Sequence, residues 1–577
     1  LPETNGFFVN AEMLTRARQQ GYEVAEAGVR HRPRLRGASK VSLGDAPRTL
    51  ATLLPFWWSR VLFPADLDPG TKERRAAPEP FALRVSSLVL CLVVAAVLFF
   101  TRLRAPLLIP EEPRYAEIPR QMLAEGRWVV PVLHGEAYLD KPPLLYWLTM
   151  ISYRIFGVHD WAARVVPALA VHLTILTVYL LGRRSLGERG AFWGALLLGL
   201  APGFVSTGRL LLLDGLLTLW VTLSVLTAYE AVRGERLRWP WWILSALACG
   251  LGILTKGPIA LVLLVPPLIA RRWLTGQVHR IDRRQLLAYA AIVGGVLLPW
   301  HLAIAMRIPE FFTYFFWRHN VLRFLAPFDH LEPIWYYIPI VLAGLLPGML
   351  LSISFVRFLL SGHAEAAGRR CPELGFYLLA GGWCLLFFTL SGSKLPTYIL
   401  PAFPPLALAL GYYLSGSKLI ETRWPIAVAS SFFVLLLAGH FVVMPWYARY
   451  RSPVARFEDM ARYCDNPEQP VICFPRNCES VGFYFERNDL REFRSHDIEF
   501  LRTTLRQNAR TVVLCTHRHS LAALREALPP ELQLVDVTHF GLIHATWLPA
   551  GLDAKLAHLL GDTALGLCDA AVVERRR

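Results

Sequence analysis

Ionisable side chains stand at the ends of apolar runs in several separate regions of this chain. The acidic members are Glu111, Asp140 and Asp214, and the basic or hydroxyl-bearing members are Arg114, Lys141, Lys256, His319, Arg323, Lys394 and Tyr398. A carboxylate beside a hydroxyl can act as a general base, while Lys, Arg and Tyr can neutralise a leaving phosphate. A carboxylate together with a His can hold a divalent cation that assists the same departure. These residue types therefore indicate group transfer from a phosphate carrier, and a membrane setting favours a lipid-linked one.

The apolar runs predict the elements that must position these side chains. The chain has 577 residues, of which 54% are hydrophobic and 18% charged, and its mean hydropathy is +0.38. Soluble domains carry about 25% charged residues, and this composition excludes a disordered, collagen-like or small disulfide-rich protein. A bilayer-crossing helix needs about 20 mainly apolar residues. Eleven runs reach or approach that length, at 83–101, 160–182, 190–205, 208–232, 240–255, 257–270, 286–306, 335–360, 374–391, 398–414 and 425–444.

These runs predict a mainly α protein, a polytopic transmembrane helical bundle of about 11–13 spans. The short runs 190–205, 240–255 and 257–270 also fit re-entrant or tilted hairpins. Lys and Arg concentrate in alternate loops, which places those loops and the N-terminus in the cytoplasm. The opposite side then receives the loops 102–159 and 307–334, the short turn 392–397 and the tail. Asp214 and Lys256 lie at outer ends of their spans, so all the candidate side chains reach one outer face. The net charge of +16 is explained by this orientation, and no nucleic-acid partner is required.

The tail, residues 446–577, has a polar composition in which strand-like and helix-like stretches alternate. Residues 471–474, 511–516 and 532–537 are typical of strands, and 453–463, 496–507 and 521–528 are typical of helices. We expect a small C-terminal α/β domain on the periplasmic side. It holds five of the nine cysteines, Cys464, Cys473, Cys478, Cys515 and Cys568. Without metal-type spacing, the domain can form at most two disulfide bridges, and the thiols can equally stay free.

Each candidate residue also has a simpler interpretation. Glu112 and Arg114 could form an interfacial ion pair, Asp214 could cap its helix, and His319 could be a hydrogen-bonded loop residue. Lys256 and Lys394 could be interface anchors. A transporter would prefer internal repeats and ionisable groups near the midplane, whereas the sequence has no convincing repeat and few charges midway down the spans. The arrival of so many ionisable side chains at one face favours an enzyme.

Two adjacent motifs resemble the signature of the bacterial GT-C glycosyltransferases. They are Pro110-Glu-Glu-Pro-Arg-Tyr-Ala-Glu-Ile118 and Tyr138-Leu-Asp-Lys-Pro-Pro143. That family is protein-O-mannosyltransferase-like and includes the lipid A aminoarabinose transferases. Three later pieces agree with it, namely Leu-Thr-Lys256-Gly-Pro, Phe-Phe-Trp-Arg-His319 and Ser-Lys394-Leu-Pro-Thr-Tyr398-Ile-Leu-Pro401. The resemblance covers roughly 80–450 and implies an inverting transfer of a sugar from a polyprenyl phosphate to an outer-leaflet acceptor.

The same resemblance implies a role for each candidate residue. Glu111 and Asp214 match the acidic positions implicated in catalysis, although Glu111 stands where the family usually has Asp. Asp140 and His319 match a metal-binding pair, which implies a divalent cation such as Zn, Mg or Mn. The residues implied to bind the lipid phosphate or line the cavity are Arg114, Lys141, Lys256, Arg323, Lys394 and Tyr398.

The sugar and the acceptor are left open by these motifs. The run 394–401 favours transfer of 4-amino-4-deoxy-L-arabinose to lipid A phosphate in the bacterial inner membrane. A protein O-glycosyltransferase or O-mannosyltransferase with the same type of donor is the alternative. A transporter of lipid-linked sugar is a weaker one.

Residues 1–60 resemble a different family. Asn5-Gly-Phe-Phe-Val-Asn-Ala-Glu12 and the basic stretch that follows are similar to the C-terminal end of a GT-A polyprenyl-phosphate glycosyltransferase. We expect a cytoplasmic remnant of such an enzyme at 1–60 and a linker at 61–82. The membrane domain would then span 83–445. A basic segment that binds anionic lipid is the other interpretation of 1–60.

Overall fold

The computed structural model describes residues 45–64, 85–275, 281–322, 330–516, 520–540 and 568–576, together with Met13, Leu14, Ala17 and Tyr22. Most of the segment that resembles a GT-A enzyme, most of the linker predicted at 61–82, and Arg323 lie outside these residues.

The chain is mainly helical up to the tail. The first half contains α1 (Asp45–Phe56), α2 (Val85–Phe100), α3 (Glu111–Ala124), α4 (Leu144–Phe156), α5 (Asp160–Gly199), α6 (Pro202–Gly208), α7 (Leu213–Val232), α8 (Trp239–Lys256), α9 (Ile259–Thr275) and α10 (Arg283–Arg307). A two-stranded hairpin, β1 (Val132–Leu133) and β2 (Glu136–Ala137), lies between α3 and α4. The next helices are α11 (Tyr337–Gly344), α12 (Ser352–Leu360), α13 (Ala364–Arg369), α14 (Pro372–Leu390), α15 (Phe403–Ser415), α16 (Trp424–Ala438) and α17 (Met444–Arg451). Wider π-helical turns form Trp57–Leu62, Thr313–Leu322 and Gly439–Val443, and tighter 3₁₀ turns form Gly348–Leu351 and Pro396–Ala402.

Within the described residues, six helical segments are long and apolar enough to cross a membrane. They are α5, α7, α10, α14, Pro396–Ser415 and Trp424–Val443. The expected polytopic helical bundle is confirmed, and each of the eleven predicted runs coincides with helix. The chain is a multi-pass membrane protein.

Three predicted runs have unexpected shapes. The runs at 160–182 and 190–205 share the 40-residue helix α5, which is interrupted at Gly187 with φ 79°. Glycine adopts this left-handed conformation without steric cost, so α5 is two helices joined at one residue. The predicted span 335–360 is bent by 102° between Tyr337–Gly344 and Gly348–Leu360. Pro347 lies at this break and has no N–H to continue the helical hydrogen bonds.

Small residues allow the helices of the bundle to approach closely. A Cβ atom added to Gly411 in α15 would lie 2.1 Å from the backbone nitrogen of Gly194 in α5. Such a contact excludes any larger side chain and is typical of packing between membrane helices. The largest cluster of buried side chains includes residues of α2, α5, α7, α9, α14 and α15.

The tail folds into an α/β domain built on one sheet, as expected. Its strands are β3 (Val471–Phe474), β4 (Arg491–Glu492), β5 (Arg510–Cys515), β6 (Leu532–Phe540) and β7 (Cys568–Arg575), in the spatial order β4-β3-β5-β7-β6. β3 pairs in parallel with β4 and β5, and β7 pairs antiparallel with β5 and β6. The helices are α18 (Phe457–Cys464), α19 (Glu479–Tyr484), α20 (Ile498–Gln507) and α21 (Ser520–Ala527). The three predicted strands and three predicted helices are observed, whereas β4, β7 and α19 were not predicted.

The cysteines of the tail are all buried thiols. Cys473 and Cys568 lie on the same face of the sheet as Cys464 and Cys478 from the covering segments, while Cys515 lies on the opposite face. All nine cysteines of the chain are free and buried in this structure. Desolvation by burial raises the pKa of Cys464 and of Cys515 to about 12. Because the thiolate is the reactive form, these side chains are protected from oxidants and alkylating reagents.

Candidate active site

Asp214 and Lys256 meet at the ends of two helices that pack against each other. Asp214 lies in the first turn of α7, and Lys256 is the last residue of α8. A carboxylate is favourable at a helix N-terminus and an ammonium at a C-terminus. The Lys256 Nζ donates to Asp214 Oδ1 at 2.5 Å, and the two side chains are only 17% and 8% exposed. The N-cap position of α7 is occupied by Leu212, so Asp214 is an ion-pair partner inside the first turn and not the cap.

Tyr398 completes this group from a distant part of the sequence. The Lys256 Nζ lies 4.4 Å from the centroid of the Tyr398 ring, within range of a cation–π interaction. Gly257 ends α8 with φ 94°, and a Cβ atom there would lie 3.0 Å from Cζ of Phe315. The π-helical segment Thr313–Leu322 is thereby packed against the turn that carries Lys256. Three predicted site residues, Asp214, Lys256 and Tyr398, thus form one contact group.

A second group forms around Arg114 in the first turns of α3. Its guanidinium lies 3.6 Å from the Glu111 carboxylate and 3.5 Å from the carboxylate of Glu479, which starts α19 in the C-terminal domain. The exposed fractions of the Glu111, Arg114 and Glu479 side chains are 42%, 28% and 15%. Burial raises the pKa of Glu479, and the negative charge of Glu111 adds to this effect while Arg114 opposes it. Arg114 is therefore shared between two carboxylates, of which Glu111 is the more open to solvent.

Tyr138 and Asp140 connect this group to the outer loop. Burial raises the pKa of Tyr138, whose phenol oxygen accepts a hydrogen bond from Arg114 and also feels the negative charge of Asp140. Asp140 Oδ1 accepts a hydrogen bond of 2.5 Å from the Tyr314 hydroxyl. His319 belongs to the same π-helical segment as Tyr314. The described residues contain no group of three or more His, Cys, Asp or Glu side chains placed to hold a metal, and the His319 side chain is outside the described part.

Lys394 and Lys141, two further predicted site residues, have different surroundings. Lys394 is only 4% exposed, and its Nζ donates to the carbonyl oxygen of Glu332 at 2.9 Å. Its backbone N–H donates to the carbonyl of His330, so Lys394 fastens residues 330–332 to the turn at 391–395. Lys141 is half-buried and precedes Pro142 and Pro143 at the start of α4.

Glu112 holds the two groups in place. It is 1% exposed, and its carboxylate pairs with Arg164 at 2.6 Å. The same carboxylate accepts the backbone N–H of Leu108 at 2.9 Å and that of Leu211 at 2.8 Å. It therefore joins the segment before Glu111 to the segment before Asp214. The simpler interpretation that Glu112 pairs with Arg114 is wrong, because the two side chains leave α3 in different directions and find different partners.

The sequence of this chain is similar to known glycosyltransferases. Residues 140–303 match the family model of the dolichyl-phosphate-mannose-protein mannosyltransferases. An undecaprenyl phosphate-α-4-amino-4-deoxy-L-arabinose arabinosyl transferase of Yersinia enterocolitica is 39% identical over 310 residues, which are 53% of this chain and 54% of the relative. The enzyme of the same name from Erwinia tasmaniensis is 35% identical over 353 residues, 58% of this chain and 61% of the relative.

A crystal structure has a similar fold. ArnT from Cupriavidus metallidurans, bound to undecaprenyl phosphate, superposes with a TM-score of 0.65 at 21% identity, over 85% of this chain and 98% of that one. At this level of identity the likeness shows that the chain has the fold of that structure. The chain spans little more than half the length of the named transferases that it matches.

Sequence reasoning missed three residues of the site. Tyr138 and Tyr314 resemble any interfacial tyrosine in the sequence, although Tyr138 stands inside the second GT-C motif. Nothing in the sequence indicated that Glu479 belongs to the site, because it lies in a short helix of the tail and no motif surrounds it.

Proposed function

We propose that this chain is an integral-membrane GT-C glycosyltransferase that uses a polyprenyl-phosphate-linked sugar as donor. The sugar proposed is 4-amino-4-deoxy-L-arabinose, and the acceptor is a phosphate of lipid A or another outer-leaflet group. The observation that carries the proposal is the contact group of Asp214, Lys256 and Tyr398 at the same end of the bundle as the half-exposed Glu111. The names of the relatives support the choice of sugar and carrier.

The reaction is written as one displacement at the anomeric carbon. The attacking oxygen of the acceptor forms a bond to that carbon while the bond to the phosphate oxygen of the carrier breaks, so the configuration inverts. Glu111 accepts the proton of the attacking oxygen, and the bonding electrons leave with the polyprenyl phosphate. Lys256 and Lys141 balance the negative charge of the departing phosphate, and Asp214 keeps the Lys256 ammonium in position.

A divalent cation at Asp140 and His319 is part of the proposal, but no step depends on it. Two such side chains provide fewer protein ligands than the three of a typical catalytic zinc site. In the described structure, Asp140 Oδ1 is a hydrogen-bond acceptor for Tyr314. If a metal binds, Asp140 and His319 would hold it, and it would act as a Lewis acid on the carrier phosphate.

We also propose that the sites face the periplasm across the bacterial inner membrane, with the N-terminus in the cytoplasm. α7 has 20 residues, which correspond to about 30 Å, the thickness of the hydrocarbon core. Asp214 lies in the first turn of this helix, and near its other end Glu230 lies within 4 Å of Arg184, Arg233 and Arg238. The arginine-rich end is the one expected in the cytoplasm, which supports a periplasmic C-terminal domain.

The test uses the purified full chain in liposomes with polyprenyl-phosphate-linked aminoarabinose as donor. Two acceptors are compared, lipid A and a Ser/Thr-containing peptide, because the mannosyltransferase family model favours a protein acceptor. Transfer to lipid A that is lost in Glu111→Gln supports the proposal. Transfer to the peptide alone establishes the protein O-glycosyltransferase alternative, and movement of the donor across the bilayer without any transfer establishes the transporter.

A further inference from the structure

The C-terminal domain contacts α3 through the short helix α19. Tyr484 donates to Asp160 Oδ2 at 3.1 Å and accepts the backbone N–H of Leu107 at 3.0 Å. Asn488 accepts a hydrogen bond of 2.5 Å from Arg120 of α3. Phe483 is 4% exposed and belongs to the same cluster of buried side chains as α3 and α4. These contacts dock the domain without any carboxylate of α19.

Glu479 is the member of this interface that needs another explanation. A buried carboxylate loses its hydration, and a buried ion pair commonly contributes little net stability. Tyr484, Asn488 and Phe483 contact the membrane domain independently of it. Yet Glu479 lies 3.5 Å from Nε of Arg114, whose Nη1 faces Glu111 at 3.6 Å. One guanidinium is thus held at two of its edges by carboxylates from two domains.

We infer that Glu479 is a positioning residue that completes the catalytic site from the C-terminal domain, by holding Arg114 against Glu111. The two carboxylates lie beside different edges of the planar guanidinium, which favours one orientation of Arg114 beside Glu111. Without Glu479, only Glu111 and the Tyr138 phenol oxygen still contact Arg114, so its place beside the carboxylate that accepts the proton is less well defined. The inference rests on the proposed function of Glu111, and it makes the C-terminal domain part of the active site.

The experiment compares Glu479→Gln and Glu479→Asp with a matched control, Glu531→Gln. Glu531 is a glutamate of the same domain that also pairs with an arginine, Arg506, at 2.7 Å, but it is 48% exposed and its partner belongs to its own domain. The readouts are kcat and KM for the polyprenyl-phosphate donor and the melting temperature of the full chain. We expect Glu479→Gln to lower kcat about 10- to 100-fold, since small misplacements of catalytic groups have effects of this order. KM should change less than about threefold, and Glu479→Asp should recover part of kcat.

A second comparison separates positioning from a merely structural role. In an Arg114→Gln background, Glu479→Gln should lower kcat by no more than about twofold, because the residue through which it acts is gone. The inference is overturned if Glu479→Gln has the kcat of Glu531→Gln. The inference is also overturned if the fold-loss of kcat in the double variant equals the product of the losses in Glu479→Gln and Arg114→Gln. A loss of kcat in Glu479→Gln that accompanies a fall in melting temperature overturns it as well.

The outcome remains decisive if the proposed function fails. If the wild-type chain transfers sugar to neither acceptor, the proposed function is refuted. The probe is then undecaprenyl phosphate alone, whose affinity is measured for the same variants. A loss of affinity of about tenfold in Glu479→Gln but not in Glu531→Gln supports positioning of Arg114, and equal affinities overturn it.

Discussion

Glu111 and Glu112 are adjacent and chemically identical, and the structure predicts opposite results for the same substitution at each. Glu112→Gln removes the charge of a carboxylate that is 1% exposed and that accepts bonds from Leu108, Leu211 and Arg164 at 2.6–2.9 Å. The amide has one acceptor oxygen and turns its NH2 towards donors. Breaking one side of a buried ion pair costs about 3–5 kcal/mol, a large fraction of a typical stability of about 5–15 kcal/mol. We expect Glu112→Gln to be poorly folded.

Glu111→Gln should leave the fold intact and abolish most of the activity. Its side chain is 42% exposed, and its pair with Arg114 is 3.6 Å long, so the stability should change by less than about 1 kcal/mol. Loss of a general base lowers the rate by about 10²–10⁴-fold. The assay is thermal unfolding followed by tryptophan fluorescence in detergent, with turnover measured on the same preparations. Arg164→Met serves as a matched control and should behave as Glu112→Gln does. A Glu112→Gln protein that melts like the wild type, or a Glu111→Gln protein that does not, would refute the assignment of these two roles.

Three further predictions concern other parts of the chain. Asp214→Asn and Lys256→Gln should each lower kcat/KM about 100-fold, and the double variant should lose little more, because the pair acts as a unit; fully multiplicative losses would contradict this. Burial, together with Arg120 and Arg114, lowers the pKa of His134 from 6.5 to about 4. Between pH 6.5 and 4 the unfolded chain therefore binds a proton that the folded chain excludes, and the free energy of unfolding should fall by up to about 3 kcal/mol. Denaturant titration at several pH values measures this fall, which should be absent in His134→Gln. Cys464 and Cys515 should resist iodoacetamide at pH 8 until the chain is denatured, as judged by mass spectrometry, and labelling of the native protein within minutes would show that their burial is wrong.

Several parts of the fold and site could be predicted because they depend on local physics. Apolar runs must be helical inside a bilayer, since every backbone polar group has to be satisfied within the segment. The strands at 471–474 and 532–537 were visible as β-rich runs between turn residues. Asp214 and Lys256 stood out because ionisable residues are costly beside apolar runs, and the loop between their helices is short enough to bring them together.

Other parts could not be predicted, because they depend on contacts between distant segments. Helical side chains one position apart differ in direction by about 100°, so the motif alone did not reveal that Glu111 faces Arg114 while Glu112 faces the core. The break at Pro347 was hidden inside an apolar run of ordinary length. Lys394 had the residue type of a phosphate ligand, but its Nζ is bonded to the Glu332 carbonyl.

The sequence by itself determined the membrane bundle, the set of chemically capable side chains and the resemblance to the GT-C enzymes, because residue type and hydrophobic length act locally. Only the tertiary structure decided how those side chains are paired. It joined Lys256 to Asp214 and Tyr398, separated Glu111 from Glu112, and brought Glu479 from the C-terminal domain to Arg114. The physical reason is that the strength of a charge interaction depends on distance and burial, and neither quantity is present in the order of residues along the chain.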